Sequence, residues 1–296
     1  MTAFAWEWLA FALRALHVVA AIFWIGAALA FLRLNLTLKA TQRDIWRSGD
    51  DAYFHIARQT SAPPQRPQIG WFRWEAYVTW LSGLALLAAV YFVDADFYLI
   101  DPSIMALTRW QAIGATLAGI FVVQIAYELI CKAPLPEAAR RALVFATIAL
   151  AAFVFAHVFA ARGAMLILGA SLGTIMTANV AHVLAPNQRR MWKALQAGSA
   201  PKETRLAASR QRALDNNYLA LPTVFLMLSS HSPLAYAEHA NWIIALLLVV
   251  AGAAIRHFYI ARHRGAGDLW WTWALAAAAC AGVLALSLWA GTPGPH

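Results

Sequence analysis

Apolar residues in this chain occur in long blocks that are separated by short polar stretches. Each long block approaches the roughly 20 residues that an α-helix needs to cross the hydrocarbon core of a bilayer. We therefore predict an all-α, polytopic membrane bundle of eight helices that forms a single domain over residues 1–296. The predicted spans are 10–32, 74–93, 109–130, 141–160, 164–185, 217–230, 240–260 and 269–290.

The composition supports a membrane protein. Charged residues make up 12% of the chain and hydrophobic residues 61%, whereas soluble domains carry roughly 25% charged residues. The mean hydropathy is +0.58. Such a chain lacks the polar surface of a soluble domain, and its main surroundings are expected to be a lipid bilayer.

The positions of the basic residues predict the orientation. The connections after spans one, three, five and seven, together with the span ends that adjoin them, hold 20 of the 23 Lys and Arg residues. By the positive-inside rule these connections face the cytoplasm, which places both termini on the periplasmic side of a bacterial inner membrane. The net charge of +9 is thus explained by topology, and we expect no nucleic-acid partner.

Five histidines lie within or beside the spans, where an ionisable side chain is a functional candidate by default. His17, His157 and His231 lie towards the outer face, and His182 and His257 towards the cytoplasmic face. Neutral imidazole is a good axial ligand for haem iron, and helical bundles build such sites from facing helices. The pattern therefore predicts haem b, with iron held by His17 and His157. A second haem held by His182 and His257 is the two-haem alternative.

A simpler interpretation is that each histidine bonds a backbone carbonyl of a neighbouring helix or a lipid headgroup. His17 is the strongest ligand candidate, because its neighbours in LRALHVVAA are almost all apolar and small. His231 and His257 lie near the membrane interfaces, where the simpler interpretation is stronger.

Polar side chains gather at the predicted cytoplasmic ends of several spans. Amide and guanidinium groups suit a flat heterocycle that bears carbonyl and N–H groups, or an anion. The alternative is that these residues cap helices and bind headgroups. The cluster consists of Arg73, Glu75, Asn187, Gln188, Arg189, Asn216, Asn217, Tyr218, Arg256 and His257.

Motifs of several other functional classes are absent from the sequence. It contains no H-E-x-x-H, no G-x-S-x-G and no phosphate-binding glycine loop, so zinc-dependent hydrolysis, serine hydrolysis and P-loop chemistry are disfavoured. The broken inverted repeats of secondary transporters are not evident either.

The chain resembles the membrane domain of the bacterial membrane-bound urate oxidase (urate hydroxylase) family. The resemblance covers essentially the whole chain and is carried by HVVAAIFWIGAALAFLRLNLTLK, WFRWEAYVTWLSGLALL, GTIMTANVAHVLAPNQRR and LDNNYLALPTVFLMLSSHSP. It implies purine catabolism, in which urate or a related purine is oxidised towards 5-hydroxyisourate and electrons pass to a cytochrome c. Family members commonly carry an outward-facing cytochrome c domain after the eighth span, whereas this sequence ends there with GTPGPH.

The resemblance also suggests roles for individual residues. Glu75 is expected to accept a proton beside Arg73, while the substrate-binding residues are expected to be Asn187, Gln188, Asn216, Asn217 and Tyr218. Family members carry a fifth-span histidine at about the position of Ile167. We therefore expect His157 or His182 to take over its ligand role.

Two other functions fit the same residues. One is a non-catalytic transmembrane electron carrier that contains b-type haem. The other is a membrane transporter or binding protein that uses the polar cluster without redox chemistry. Urate-dependent reduction of a haem separates the enzyme from both.

Overall fold

The computed structural model describes residues 3–48, 51–57, 73–233 and 241–290. These residues form an all-α helical bundle with one small hairpin, as expected. The helices are α1 (Ala3–Thr41), α2 (Trp74–Leu86), α3 (Ala95–Tyr98), α4 (Arg109–Lys132), α5 (Glu137–Ala156), α6 (Ala161–Ala178), α7 (Ala185–Gln196), α8 (Glu203–Ser229), α9 (Asn241–His263) and α10 (Trp271–Ala290). Two π-helical segments, Leu87–Phe92 and Asn179–Leu184, follow α2 and join α6 to α7.

The chain is a multi-pass membrane protein. In the part of the chain that the structure describes, seven helical segments are long and apolar enough to cross a membrane. They correspond to seven of the eight predicted spans. The remaining prediction, 217–230, falls in the C-terminal half of α8, whose N-terminal half carries the charged sequence ETRLAASRQR. The C-terminal half of α8 contributes buried residues to the bundle, and α8 packs against both α6 and α9.

The helix of span five continues well beyond its predicted end at residue 185. The segment Ala161–Gln196 is helical throughout and passes through Pro186. A proline inside a helix lacks an N–H group and clashes with the carbonyl four residues earlier. The wider π-helical turns of Asn179–Leu184 directly precede Pro186, and such turns are a known way to accommodate a break in the hydrogen-bond ladder.

The connection after α1 contains a β-hairpin, which the sequence pattern did not predict. Strands β1 (Ile45–Ser48) and β2 (Tyr53–Ile56) pair antiparallel, with Ile45 opposite Ile56. The proline-rich stretch 61–67 lies outside the described residues.

Helix α6 forms the centre of the bundle. About 72% of an apolar 18-residue stretch of Ala161–Gln196 is buried, compared with 11% of such a stretch in α1. Helix α6 packs against α2, α4, α5, α8 and α9. Ile167 and Leu172 on α6 are fully buried. Large apolar side chains such as Phe23 and Leu288 are exposed on the outer helices, as expected for surfaces that face lipid.

The connections after α1, α7 and α9 meet at one end of the bundle, where Lys39, Arg210 and Arg264 lie close together. At this end, Gly265 after α9 approaches Ala40 of α1, with 3.9 Å between the Ala40 side chain and the position of a Cβ at Gly265. Gly265 has a φ of +78°, which L side chains rarely adopt. We call this the basic end; the sequence predicts that it faces the cytoplasm.

Candidate functional site

The polar residues near the basic end are centred on one segment of α8, Arg212–Tyr218. Residues three and four apart share a helix face, so Arg212, Asp215 and Asn216 point to one side. Their partners come from α4 and α6. Asn217 and Tyr218 find partners on α9. The segment therefore joins two polar groups of residues that flank α8.

Asn179 is the hub of the first group, at the interface of α4, α6 and α8. Its Nδ2 donates to Tyr127 Oη at 2.9 Å and to Asn216 Oδ1 at 2.8 Å. Its Oδ1 accepts from Arg212 Nη1 at 3.1 Å. Asn179 begins the π-helical segment and is only 1% exposed. Both ends of its amide are thus bonded inside the bundle, as a buried amide requires.

The same group contains buried charges. Tyr127 Oη donates to Asp215 Oδ2 at 2.9 Å, and the Arg212 guanidinium lies 4.9 Å from the centre of the Tyr127 ring. Arg212 also donates to the carboxylate of Glu128. Burial raises the pKa of Asp215 above its usual value, although the bond from Tyr127 and the charge of Arg140 oppose this rise.

The second group lies between α8 and α9. Arg256 Nη2 donates to Asn217 Oδ1 at 2.8 Å. Tyr218 Oη and His257 Nδ1 share a hydrogen bond of 2.7 Å. The guanidinium of Arg141, on α5, lies 5.8 Å from the centre of the Tyr218 ring. Three helices therefore converge on the Asn217–Tyr218 pair.

The predicted substrate-binding residues are only partly brought together. Asn216, Asn217 and Tyr218 lie side by side, but Asn216 bonds to Asn179 and to the Met176 carbonyl, and Asn217 to Arg256 and the Ala213 carbonyl. Their amides therefore connect helices or bond within α8. The remaining two residues lie apart: Asn187 is buried and donates to Ser209 Oγ at 3.2 Å, and Gln188 is exposed.

Arg73 and Glu75 lie at the start of α2. The Arg73 guanidinium is 5.3 Å from the centre of the Trp74 ring. Glu75 Oε2 is buried, and within the described residues it has no hydrogen-bond partner. Buried polar atoms without protein partners are places where water, an ion or a ligand is expected. Six other described atoms share this property: Tyr91 Oη, Gln124 Oε1, Arg162 Nε, Thr177 Oγ1, Gln211 Nε2 and Arg256 Nε.

Sequence reasoning did not select Tyr127, Glu128, Asn179, Arg212 or Asp215 as site residues. A usable signal was present, because Glu128 and Arg212 have opposite charges near the basic ends of their helices. An ionisable residue in a membrane helix commonly pairs with another. Asn179 lies within the apolar stretch TANVAHVL, and only the helix packing identifies it as a site residue.

His17 of α1 bonds to a backbone carbonyl of the neighbouring helix α2, as the simpler interpretation of the histidines predicts. Its Nδ1 lies 2.9 Å from the Thr79 carbonyl oxygen. A carbonyl can only accept, so Nδ1 carries the proton and Nε2 carries the lone pair. Metal-bound histidines almost always donate their other ring N–H in this way. The ring lies against Gly83, where an added Cβ would be 2.9 Å from Cε1.

The other four histidines have different surroundings. His157 Nδ1 donates to the Phe153 carbonyl of its own helix at 2.7 Å, and His157 is exposed. His182 and His231 are also exposed, and His257 bonds to Tyr218. Among the described residues, no hydrogen bond or ring contact joins any two of the five histidines. The donor chemistry at His17 therefore fits an axial haem ligand, and the structure does not bring a second histidine ring into contact with it.

Comparison with known protein families gives one finding. Residues 3–287 match a family described as urate oxidase N-terminal. Comparisons with curated proteins and with solved structures gave no match. The family match begins with α1 and includes most of α10, so it covers both polar groups and all five histidines.

Proposed function

The chain belongs to the urate oxidase N-terminal family, and we propose that it is a membrane-bound oxidoreductase that oxidises urate or a related purine towards 5-hydroxyisourate. The family match over residues 3–287 is the observation that carries this proposal. In the reaction, one water molecule adds its oxygen to the purine, and two protons and two electrons leave. The protein must therefore accept protons and deliver electrons to an acceptor, for which we propose a cytochrome c.

We assign proton acceptance to Glu75. A carboxylate can act as a general base when it lies within hydrogen-bond reach of the proton that it removes. Glu75 Oε2 is buried without a partner among the described residues, so it has an unused acceptor position. The water that attacks the purine must lose a proton, and this oxygen can receive it.

Purine recognition is assigned to donors near the Asn217–Tyr218 pair and at the start of α2. Arg256 Nε is buried and has no partner among the described residues, so it can donate to a purine carbonyl oxygen. Arg73 and Tyr218 supply further donors in this proposal. Asn216 and Asn217 already bond to Asn179 and Arg256, and we assign them to holding this part of α8 in position.

His17 is the residue that we assign to a haem. Its Nδ1–H bond to Thr79 orients the ring and leaves Nε2 as the ligand atom. Haem b, when bound, supplies a one-electron redox centre.

The experiment that tests this proposal uses the purified protein with urate and cytochrome c. We expect urate-dependent reduction of cytochrome c and a reduced-minus-oxidised haem spectrum. Glu75→Gln should lower turnover by about 100-fold or more, the usual contribution of a general base. Glu203→Gln is the matched control, because Glu203 is also a first-turn glutamate and its pair with Arg210 is exposed. A protein that leaves cytochrome c oxidised in the presence of urate would overturn the proposal.

A second candidate is a non-catalytic haem electron carrier. The side-chain amides of Asn216 and Asn217 favour this candidate, because they already bond to Asn179 and Arg256 rather than face a purine. A haem that is reduced by dithionite but not by urate would select this candidate. A colourless, metal-free preparation would remove both redox functions.

A further inference from the structure

A cleft of about 360 Å³ opens at the basic end, between α1, α8 and the turn after α9. Its lining residues are not members of the polar groups around Asn179 and Tyr218, although Tyr218 packs against the apolar cluster beneath it. Three cationic side chains lie on its walls: Lys39 from α1, Arg210 from α8 and Arg264 from the turn. Arg210 pairs with the carboxylate of Glu203 at an exposed position, and the lining residues themselves include no acidic side chain. The walls of the cleft therefore carry more positive than negative charge.

The floor of the cleft is apolar. Leu32, Leu36 and Leu214 line it, and Leu32 and Leu214 form a buried cluster with Ile260 beneath. Asn35 contributes one amide to the lining. A purine, with several carbonyl and N–H groups on its edges, would find few partners on such a floor. A ligand that combines an anionic group with a hydrocarbon chain matches both parts of the cleft.

The cleft lies at the depth of the lipid headgroups. Leu32 ends the first predicted span, and Lys39 lies about 10 Å further along α1 at the helical rise of 1.5 Å per residue. The floor is thus at the edge of the hydrocarbon core, and the cations lie in the interfacial layer beyond it. Basic pockets between membrane helices at this depth are typical binding sites for acidic headgroups.

We propose that this cleft binds an anionic phospholipid, with its phosphate between Lys39, Arg210 and Arg264 and the start of an acyl chain on Leu32, Leu36 and Leu214. The bound lipid joins the ends of α1, α8 and α9 at the basic end. The test of this site measures lipid binding and requires no urate turnover.

The test is lipid binding to the purified protein in detergent, measured by native mass spectrometry with phosphatidylglycerol or phosphatidylcholine. We expect phosphatidylglycerol to bind more tightly than phosphatidylcholine. The double variant Lys39→Gln, Arg264→Gln should weaken phosphatidylglycerol binding by about 30-fold, from the usual contribution of each basic residue near an anionic lipid. The control Arg190→Gln, Lys193→Gln removes the same charge from exposed positions on α7 and should change affinity by less than about twofold.

Two further measurements complete the test. One separates the effect of charge from misfolding, and the other separates lipid binding from the binding of a free anion. The charge-preserving variant Lys39→Arg, Arg264→Lys should retain phosphatidylglycerol binding. If this variant also fails to bind the lipid, the weak binding of the Gln variant comes from misfolding, and the proposal is overturned. Glycerol phosphate carries the headgroup anion without acyl chains. If it binds as tightly as phosphatidylglycerol, the cleft is a site for a free anion rather than for lipid. Equal binding of the two phospholipids would likewise overturn the proposal.

Discussion

Arg212 of α8 donates to the carboxylate of Glu128 of α4 inside the bundle, where the two side chains are 7% and 21% exposed. A second pair of the same residue types, Arg210 and Glu203, lies on α8 itself and is 50% and 72% exposed. The two arginines are separated by one residue, yet one pair joins two helices in the interior and the other lies at the surface. The contrast offers a matched comparison of a buried and an exposed ion pair.

Glu128→Gln should destabilise the protein strongly. It removes the carboxylate to which the buried Arg212 guanidinium donates, and breaking a buried ion pair typically costs about 3–5 kcal/mol. Glu203→Gln removes an exposed partner and should cost less than about 1 kcal/mol. Thermal unfolding of both variants in the same detergent measures the difference. Equal losses would show that the burial of Glu128 does not govern its contribution.

Gly83→Ala should displace His17. The added methyl group would lie 2.9 Å from His17 Cε1, so the ring must move away from the Thr79 carbonyl. Such overpacking typically costs about 1–3 kcal/mol. We also expect less haem per protein, measured by absorbance, because the bond that orients His17 is lost.

Gly114→Ala is the control for Gly83→Ala. Gly114 lies within α4, and nothing lies within 4 Å of a Cβ placed there. Alanine should stabilise that helix by about 0.5–1 kcal/mol and leave haem content unchanged. If both variants retain the same haem content, the assignment of His17 as a ligand is wrong.

Gly252→Ala should loosen the contact between α8 and α9. A Cβ at Gly252 would lie 2.6 Å from the backbone nitrogen of Pro222 and 2.7 Å from its Cδ. Pro222 is inside α8, and its backbone cannot move aside as a flexible side chain would. We expect a loss of about 1–3 kcal/mol in thermal unfolding. An unchanged melting temperature would mean that the two helices can separate at no cost.

Asp215 should make stability depend on pH. Burial raises its pKa from the usual 3.8, so the folded protein holds this proton more tightly than the unfolded chain does. The free energy of unfolding therefore falls as pH rises from about 3.8 through the folded-state pKa, and this contribution is constant at higher pH.

Asp215→Asn tests that dependence, because the asparagine Oδ1 still accepts from Tyr127 and carries no charge. We expect the variant to melt at a higher temperature than the unmodified protein at pH 7, with a difference that shrinks as pH approaches 4. Melting curves from pH 4 to 8 measure it. A difference that is independent of pH would exclude titration of Asp215 as the cause.

The prediction of an all-α membrane bundle depended on properties that are local in the sequence. Blocks of apolar residues require helices in a bilayer, since every backbone N–H and C=O must be bonded within the segment. The same local signals left other features undecided. Pro186 looked like an end of the fifth span, but the π-helical turns before it allow the helix to continue to Gln196. The β1–β2 hairpin was not predicted, because the connection after α1 shows no hydrophobic periodicity.

The sequence by itself determined the membrane class, the positions of most spans and the family, since each is written in contiguous stretches of residues. The tertiary structure decided which polar side chains meet. Asn216 and Asn217 are adjacent in sequence but face different helices, and Asn216 instead meets Tyr127 and Arg212 through Asn179. Such contacts depend on helix rotation and packing, to which residues from distant parts of the chain contribute together. That is why the Glu128–Arg212 pair and the cleft at the basic end emerged only when the helices were assembled.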